Sequence, residues 1–430
     1  MMRILFLTSL YSTPLQPARG LPNSRIARGM RRYADVRVIA PLPYYPTALV
    51  QNRPDLLAIT KVPFAERDED DQIVLHPRYV HVPRFGRALY PSLYAASIAR
   101  VVSNEVKTYR PDVILSAWAY PDGVAAVSLA KLLGVPSVLR VMGSDINAFG
   151  LERFRRPQIQ WVLRNATRII SVSHALRDAC VDLAGSSKEG AWSGDNIDVI
   201  QTGVDTTRFF PVDRTQARTE LGLPKDRRVI VVPARLSVEK GVSYFVEALA
   251  SLPGDCVGVL VGDGPERAAL ESQARRLSLQ DRVIFAGHQT EKRMKLYYSA
   301  ADLVCLPSTE EGWPNVLMES FACGCPWVAS NVGGVPELLA IAPGGILAVP
   351  REPVDLANGL QSGLARAWDR KKIAECAALQ SLDATASRYV ESCEAARGDR
   401  PKGSASGSPT RTSEAPPRGR SDPLSSTAPG

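Results

Sequence analysis

The sequence predicts an α/β protein made of two Rossmann-like, parallel-sheet domains that face a central cleft. Three observations carry this expectation. The 430 residues exceed one ordinary core and suit two domains. Short apolar runs alternate along the chain with segments of helical period. Those runs lack a strict apolar–polar alternation, so their strands are expected to be buried on both faces, as in parallel sheets covered by helices.

The first series of strand-like runs is RILFLTSL from Arg3, VRVIAPL from Val36, VILSAWA from Val113, SVLRVMGS from Ser137, RIISVS from Arg168 and IDVIQTG from Ile197. Segments such as NSRIARGMRRYA and AAVSLAKLLG supply helices between them. The opening MMRILFLTSLYS has the apolar stretch of a short signal peptide, but no small-residue cleavage site follows, and it reads as a first buried strand. The acidic run ERDEDDQ at 66–72 reads as an exposed loop, and a polar insert, GSSKEGAWSGDN, precedes the last strand of the series. Turn residues in GVDTTRFFPVDRT mark a break, which gives a first domain over 1–205.

The second series is RVIVVPARL from Arg228, VGVLVGDG from Val257, RVIFAGH from Arg282, LVCLPS from Leu303 and PWVASN from Pro326. With helices such as SYFVEALASL and ERAALESQARRLSL it fills a second domain, 206–380. A helix over 381–396 follows. From 397 to 430 the chain is rich in Gly, Ser, Pro and Arg, has almost nothing to bury, and is expected to be disordered.

Hydrophobic content of 45% and charged content of 22% are those of a soluble globular protein. No apolar run approaches the roughly 18–20 residues that span a bilayer. Seven scattered cysteines without zinc-type spacing read as reduced, buried thiols and point to the cytoplasm. The net charge of +8 is uneven: residues 1–200 hold 25 basic and 17 acidic residues, and the rest balances at 27 each. The first half is thus expected to attract anionic surfaces. No interleaved basic–aromatic pattern supports a nucleic acid; an anionic lipid-linked acceptor, or the inner face of a membrane, fits better. Arg25, Arg28, Arg31 and Arg32 in NSRIARGMRRYA, with Arg84 and Arg87 in the segment from Pro83, suit such peripheral docking. An ordinary solvated basic surface is the alternative.

The stretch Leu303 to Leu338, LVCLPSTEEGWPNVLMESFACGCPWVASNVGGVPEL, holds most of the chemistry. A buried strand ends at Pro307, and Pro314 sits where a helix can begin. The backbone N–H groups of Asn315, Val316 and Leu317 are then free to meet a phosphate. Glu311 and Glu319 flank that anion site and would repel an anion, so hydroxyl-rich groups are their expected partners: a sugar for Glu311, a ribose diol for Glu319. Gly312 and the tight spacing suit a ligand loop. Arg235 and Lys240, in VIVVPARLSVEKG, follow another strand, where two cations can neutralise a leaving diphosphate.

The order PARLSVEKG, VGDGP, FAGH and EEGWPNVLMESFACGCPWVASNVGGVPEL resembles the retaining group 1 glycosyltransferases, of the glycosyltransferase family 4-like type with the GT-B fold. Their E-x₇-E signature is matched by Glu311 and Glu319, and their diphosphate-binding Arg and Lys by Arg235 and Lys240. YSTPLQPARG with Gly20, WAYPDGVAA, GSDIN with Asp145, SVSHALRD and TGVDTTRFFP fall in family order. The resemblance covers nearly everything to about residue 396. It implies a retaining transferase that takes sugar from a nucleoside-diphosphate donor to a glycan or lipid-linked acceptor, as in cell-surface polysaccharide biosynthesis. It also implies that Gly20 lets the first loop approach the donor phosphate, that the 381–396 helix crosses back onto the first domain, and that no metal cofactor is needed. The chain departs from frequent family features at Met142 and Ala117, where histidines are common, and at Ala234, where glycine is.

Competing readings remain at this point. Asp68-Glu69-Asp70 spells the DxD metal signature of another glycosyltransferase fold, but it lies in a hydrophilic run. His76, His81, His174 and His288 are not spaced for zinc. A degenerate donor-binding partner of a membrane synthesis complex and a sugar-nucleotide epimerase on the same fold are the alternative functions. An oxidoreductase is disfavoured, because no G-x-G-x-x-G follows the first strand.

Overall fold

The computed structural model describes residues 1–399 apart from 17–18, 69, 81–88, 188–189 and 342. The expected tail therefore lies outside the described residues from 400 onward, and so do Arg84, Arg87 and His81.

The first half is built on an eight-stranded sheet. Its order is Ile197–Val199, Arg168–Ser171, Ser137–Val141, Val113–Ala117, Arg3–Leu7, Asp35–Ile39, Ile73–Leu75 and Ala65–Arg67. All neighbours are parallel except the last pair. Ile4 sits opposite both Val36 and Val113, so the opening run is a central strand. Its side chains divide between two cores, as a strand buried on both faces requires. Ile4 and Phe6 pack with Ile26, Ala27 and Met30 of helix Leu21–Met30. Leu5 and Leu7 pack with Ile98 and Val102 of helix Tyr90–Thr108 and with Ala126 of helix Val124–Leu133.

The run 66–72 is not simply a loop. Ala65–Arg67 pairs antiparallel with Ile73–Leu75 and forms the sheet edge. The polar insert likewise holds a short antiparallel pair, Ser186–Ser187 against Gly190–Ala191.

The second half carries a six-stranded, all-parallel sheet in the order Val283–Gly287, Cys256–Val261, Arg228–Pro233, Leu303–Leu306, Trp327–Ser330 and Gly345–Ala348. Val229 and Val231 face one core while Ile230 and Val232 face the other. The strand order reverses between Arg228–Pro233 and Leu303–Leu306, and ligands of open α/β sheets bind beyond the strand ends at such a point. The loops leaving these two strands contain Arg235, Lys240 and Glu311.

Two stretches of chain cross between the halves side by side. The Val204 amide donates to Gln380 O (2.9 Å) and the Leu382 amide to Val204 O (3.0 Å). Helix Leu382–Gly398, capped by the Ser381 hydroxyl, then packs on helix Leu21–Met30 and runs two residues past the expected end at 396. Its Ala386, Tyr389, Val390, Cys393 and Ala396 complete the core around Ile4 and Phe6. No described helix is long and apolar enough to cross a membrane.

Candidate functional site

Arg235 leaves the end of strand Arg228–Pro233 with its side chain exposed. Lys240 ends a short helical turn, Val238–Lys240, in the same loop. Its Nζ donates to Glu311 Oε1 at 2.6 Å, and the Ser308 hydroxyl donates to the same oxygen at 2.8 Å. The Glu311 side chain is 9% exposed, so its carboxylate is held by two partners at the strand ends rather than solvated.

Beyond Glu311 the backbone is crowded. A Cβ on Gly312 would lie 2.0 Å from Met142 O, because here the loop after strand Ser137–Val141 of the first half touches the second. A Cβ on Gly333 would lie 1.7 Å from Glu311 O, and Gly333 has a φ of +50°. Only glycine fits such an approach and backbone at once. The halves thus meet across backbone, directly beside the Lys240–Glu311 pair. Trp313 strengthens the contact, its indole N–H donating to Thr202 O at 2.8 Å.

Helix Asn315–Ala322 starts one residue later than its sequence suggests: Pro314 precedes the helix instead of opening it. Two of the three expected anion donors are engaged. The Asn315 amide donates to Trp313 O (3.1 Å) and the Leu317 amide to Pro314 O (2.9 Å). Of the three, only the Val316 amide is left without an acceptor among the described residues. A helix start wound this tightly uses its own carbonyls, as short 3₁₀-type turns do.

Glu319 lies a turn further on and lines a cavity of about 500 Å³ with Arg25, Arg235, Glu291, Tyr298 and Val316. Burial pushes its carboxyl above the usual range, and Arg25 opposes that shift. Tyr298 donates its hydroxyl to Glu319 Oε2 at 2.8 Å, and Arg25 reaches Oε1 at 3.4 Å. Arg25 also pairs with Glu291, whose other oxygen accepts from Arg208 at 2.7 Å. Arg25 belongs to the first half; Glu291 and Glu319 belong to the second. Arg25, Glu291, Tyr298 and Ser308 were not expected as site residues. Partners this far apart in sequence leave no local signal, and Arg25 reads simply as one cation of a basic helix.

Two first-half candidates play other parts than expected. The missing side chain of Gly20 (φ +64°) would point into the backbone of Leu10 and Tyr11, with Leu10 C at 2.1 Å. Packing within its own loop, where it caps helix Leu21–Met30, is thus enough to require glycine here. Asp145 is 0% exposed. Its carboxylate accepts the amides of Ala119 (3.0 Å), Met142 (3.0 Å) and Gly143 (2.8 Å), so it staples the loop that touches Gly312 and does not face the cleft. Burial still raises its pKa against those bonds.

The acidic edge is equally occupied: Asp68 pairs with Arg31 (2.6 Å) and Asp70 with Arg28 (3.0 Å), while Glu69 lies outside the described residues. Arg25 is paired as above and Arg32 pairs with Asp383 (2.8 Å), so each of the four arginines in 23–34 has an acidic partner, although Arg32 itself stays largely exposed. His76 is fully buried between Ala40 O (2.8 Å) and Glu66 (3.0 Å), a structural arrangement. All seven cysteines are free, and Cys376 alone is not buried.

Two facing α/β halves, with the cationic loops and glutamates of the second at its switch point, have the architecture of the GT-B fold. The family model "Glycosyl transferases group 1" matches residues 213–379, and "Glycosyltransferase Family 4" matches 24–208. The chain belongs to the group 1 glycosyltransferases. It is 28% identical to TuaC of Bacillus subtilis, a glycosyltransferase provisionally assigned to teichuronic acid biosynthesis, over 78% of this chain and 83% of that one. It is 38% identical to the D-inositol 3-phosphate glycosyltransferase of Mycobacteroides abscessus, but that match spans only 40% of this chain and 39% of the relative. Similar solved folds include sucrose-phosphate synthase from Thermosynechococcus elongatus, with a TM-score of 0.70 and 20% identity, covering 91% of this chain and 98% of that one. Anabaena HepE, solved with UDP and glucose, has a TM-score of 0.69 and 23% identity, covering 92% and 100%.

Proposed function

We propose that this glycosyltransferase moves a sugar from a nucleoside-diphosphate donor to a glycan or lipid-linked acceptor with retention at the anomeric carbon. The observation that carries the reading is the Lys240–Glu311 pair, set with Arg235 on the two loops of the second sheet's switch point. Arg235 and Lys240 would stabilise the departing diphosphate, with the Val316 amide assisting. Glu311 would orient the sugar and keep Lys240 aimed, and Glu319 would accept the ribose hydroxyls. Gly20 and Asp145 would serve the donor indirectly, by shaping the loops opposite. With two cations beside the leaving group, the reaction would need no metal. No side chain stands out as a nucleophile, so the leaving phosphate would itself help deprotonate the acceptor on the same face of the sugar.

The UDP and UDP-glucose bound by Anabaena HepE support the donor class, and the name of TuaC supports a cell-envelope acceptor. A lipid-linked acceptor brings contact with the cytoplasmic face of a membrane. The basic excess of residues 1–200 favours this, and pelleting with anionic liposomes at low salt tests it.

The deciding experiment offers the purified protein a panel of nucleoside-diphosphate sugars, with a chelator present, and follows thermal shift and donor hydrolysis. One donor that stabilises the protein and turns over slowly is the expected result; a folded protein indifferent to the whole panel refutes the reading. With that donor, Lys240→Ala should lower turnover roughly tenfold or more. A near-normal rate would remove Lys240 from the chemistry.

A further inference from the structure

Arg25 is placed unlike any other cation of the site. It projects from helix Leu21–Met30 of the first half into the cavity of the second, where its side chain is only 16% exposed. One guanidinium nitrogen meets Glu291 and another meets Glu319 at 3.4 Å, and Phe209 lies against it at 5.8 Å from the ring centroid. Glu291 is itself shared with Arg208 of the crossing segment (2.7 Å). The Glu319 carboxylate therefore has one oxygen fixed by Tyr298 of its own half and the other by a residue of the opposite half.

We propose that Arg25 is a positioning residue for the donor's ribose, steadying and aiming the Glu319 carboxylate so that the diol is gripped only when the two halves meet. This rests on the nucleoside-diphosphate reading above. The reasoning is chemical. A ribose diol offers two hydroxyl donors, and an ionised carboxylate is an acceptor only, so it suits the diol better than a protonated one. Burial raises the Glu319 carboxyl, and the Arg25 charge acts against that rise. Arg25 supplies the opposing charge, and its second anchor on Glu291 fixes its direction. Arg25 touches no reacting atom and acts through Glu319.

The test compares binding of UDP, GDP and ADP with binding of their 2′,3′-dideoxy counterparts by the full-length protein, using calorimetry. The parent should prefer the ribose form of its nucleotide at least about tenfold, the worth of hydrogen bonds to a charged group. Arg25→Met should lose most of that preference while the diphosphate contribution persists. Arg25→Lys, which keeps the charge, should retain much of it. An unchanged preference in Arg25→Met, or tighter binding of the ribose form, overturns the proposal. Equal loss in both variants, with circular dichroism unaltered, assigns the effect to packing and overturns it as well. A parent that binds none of the three nucleotides instead refutes the donor reading on which the proposal stands.

Discussion

Asp122 shows how a single enclosed carboxyl makes this protein sensitive to pH. It is 0% exposed, in the loop after strand Val113–Ala117, and it accepts both the amide (2.8 Å) and the hydroxyl (2.9 Å) of Ser9. Burial nevertheless pushes it up to about 6 from an ordinary 3.8. A carboxyl raised on folding contributes stability that is complete below its unfolded pKa and is lost as pH climbs through the folded one. Stability should thus fall by about 3 kcal/mol between roughly pH 4 and pH 6 on account of Asp122. Asn is the same size and can still accept from Ser9, so Asp122→Asn should flatten that part of the profile. Urea melts at half-unit pH steps give the answer, and an unaltered slope would assign the effect elsewhere. Residue chemistry was unevenly legible. Lys240, Arg235 and Glu311 stand out in sequence because each follows a strand end, and Glu319 because it completes the E-x₇-E spacing with Glu311. Asp145 stood out equally, yet its oxygens are consumed by three amides, a use that only coordinates reveal.

At the scale of elements, the site is a crossing of loops. The turn holding Gly333 lies on the Glu311 carbonyl, and Gly312 lies on Met142 and Gly143 of the opposite half. Gly333→Ala adds a methyl where backbone already stands, at a left-handed φ, so the Glu311 loop must shift. We expect kcat/KM for the donor to drop at least about tenfold while the melting temperature falls by only a few degrees. Steady-state kinetics with a parallel melt decides it; a variant with full activity would show that the crossing is slack. The central strands were readable, because residues such as Leu5 and Val231 are buried on both faces and give unbroken apolar runs. The edge strand Ala65–Arg67 and its neighbour Ile73–Leu75 were not. They are short, and residues such as Ile73 are exposed, so pairing with a neighbour and not burial makes them strands. The start of helix Asn315–Ala322 was misplaced by one position for a similar reason: proline marks a helix end without fixing which of its turns is the first.

Across the whole molecule, the first half is completed by the last helix. Tyr389 is 0% exposed, stacked 5.5 Å from the Arg140 guanidinium, and belongs to the same core as Ile4 and Phe6. Tyr389→Ala should remove about 3–5 kcal/mol, seen as a lower urea midpoint, and ending the chain at residue 380 should leave the first half unable to fold. A truncated chain that stays soluble and melts cooperatively would contradict this. The helical pattern of 381–396 is plain in the sequence; its face of Ala, Tyr, Val and Cys fits many surfaces, so it was the family resemblance, and not the pattern, that pointed to the first half as its partner. Its neighbour, the paired passage of Val204 beside Gln380 and Leu382, has a wider meaning. The second half begins and ends at the same doorway, so it is joined to the rest as an insert is joined to its host. Recombination need only match two adjacent seams to exchange it whole, so a lineage can trade the second half for another while the first is inherited intact.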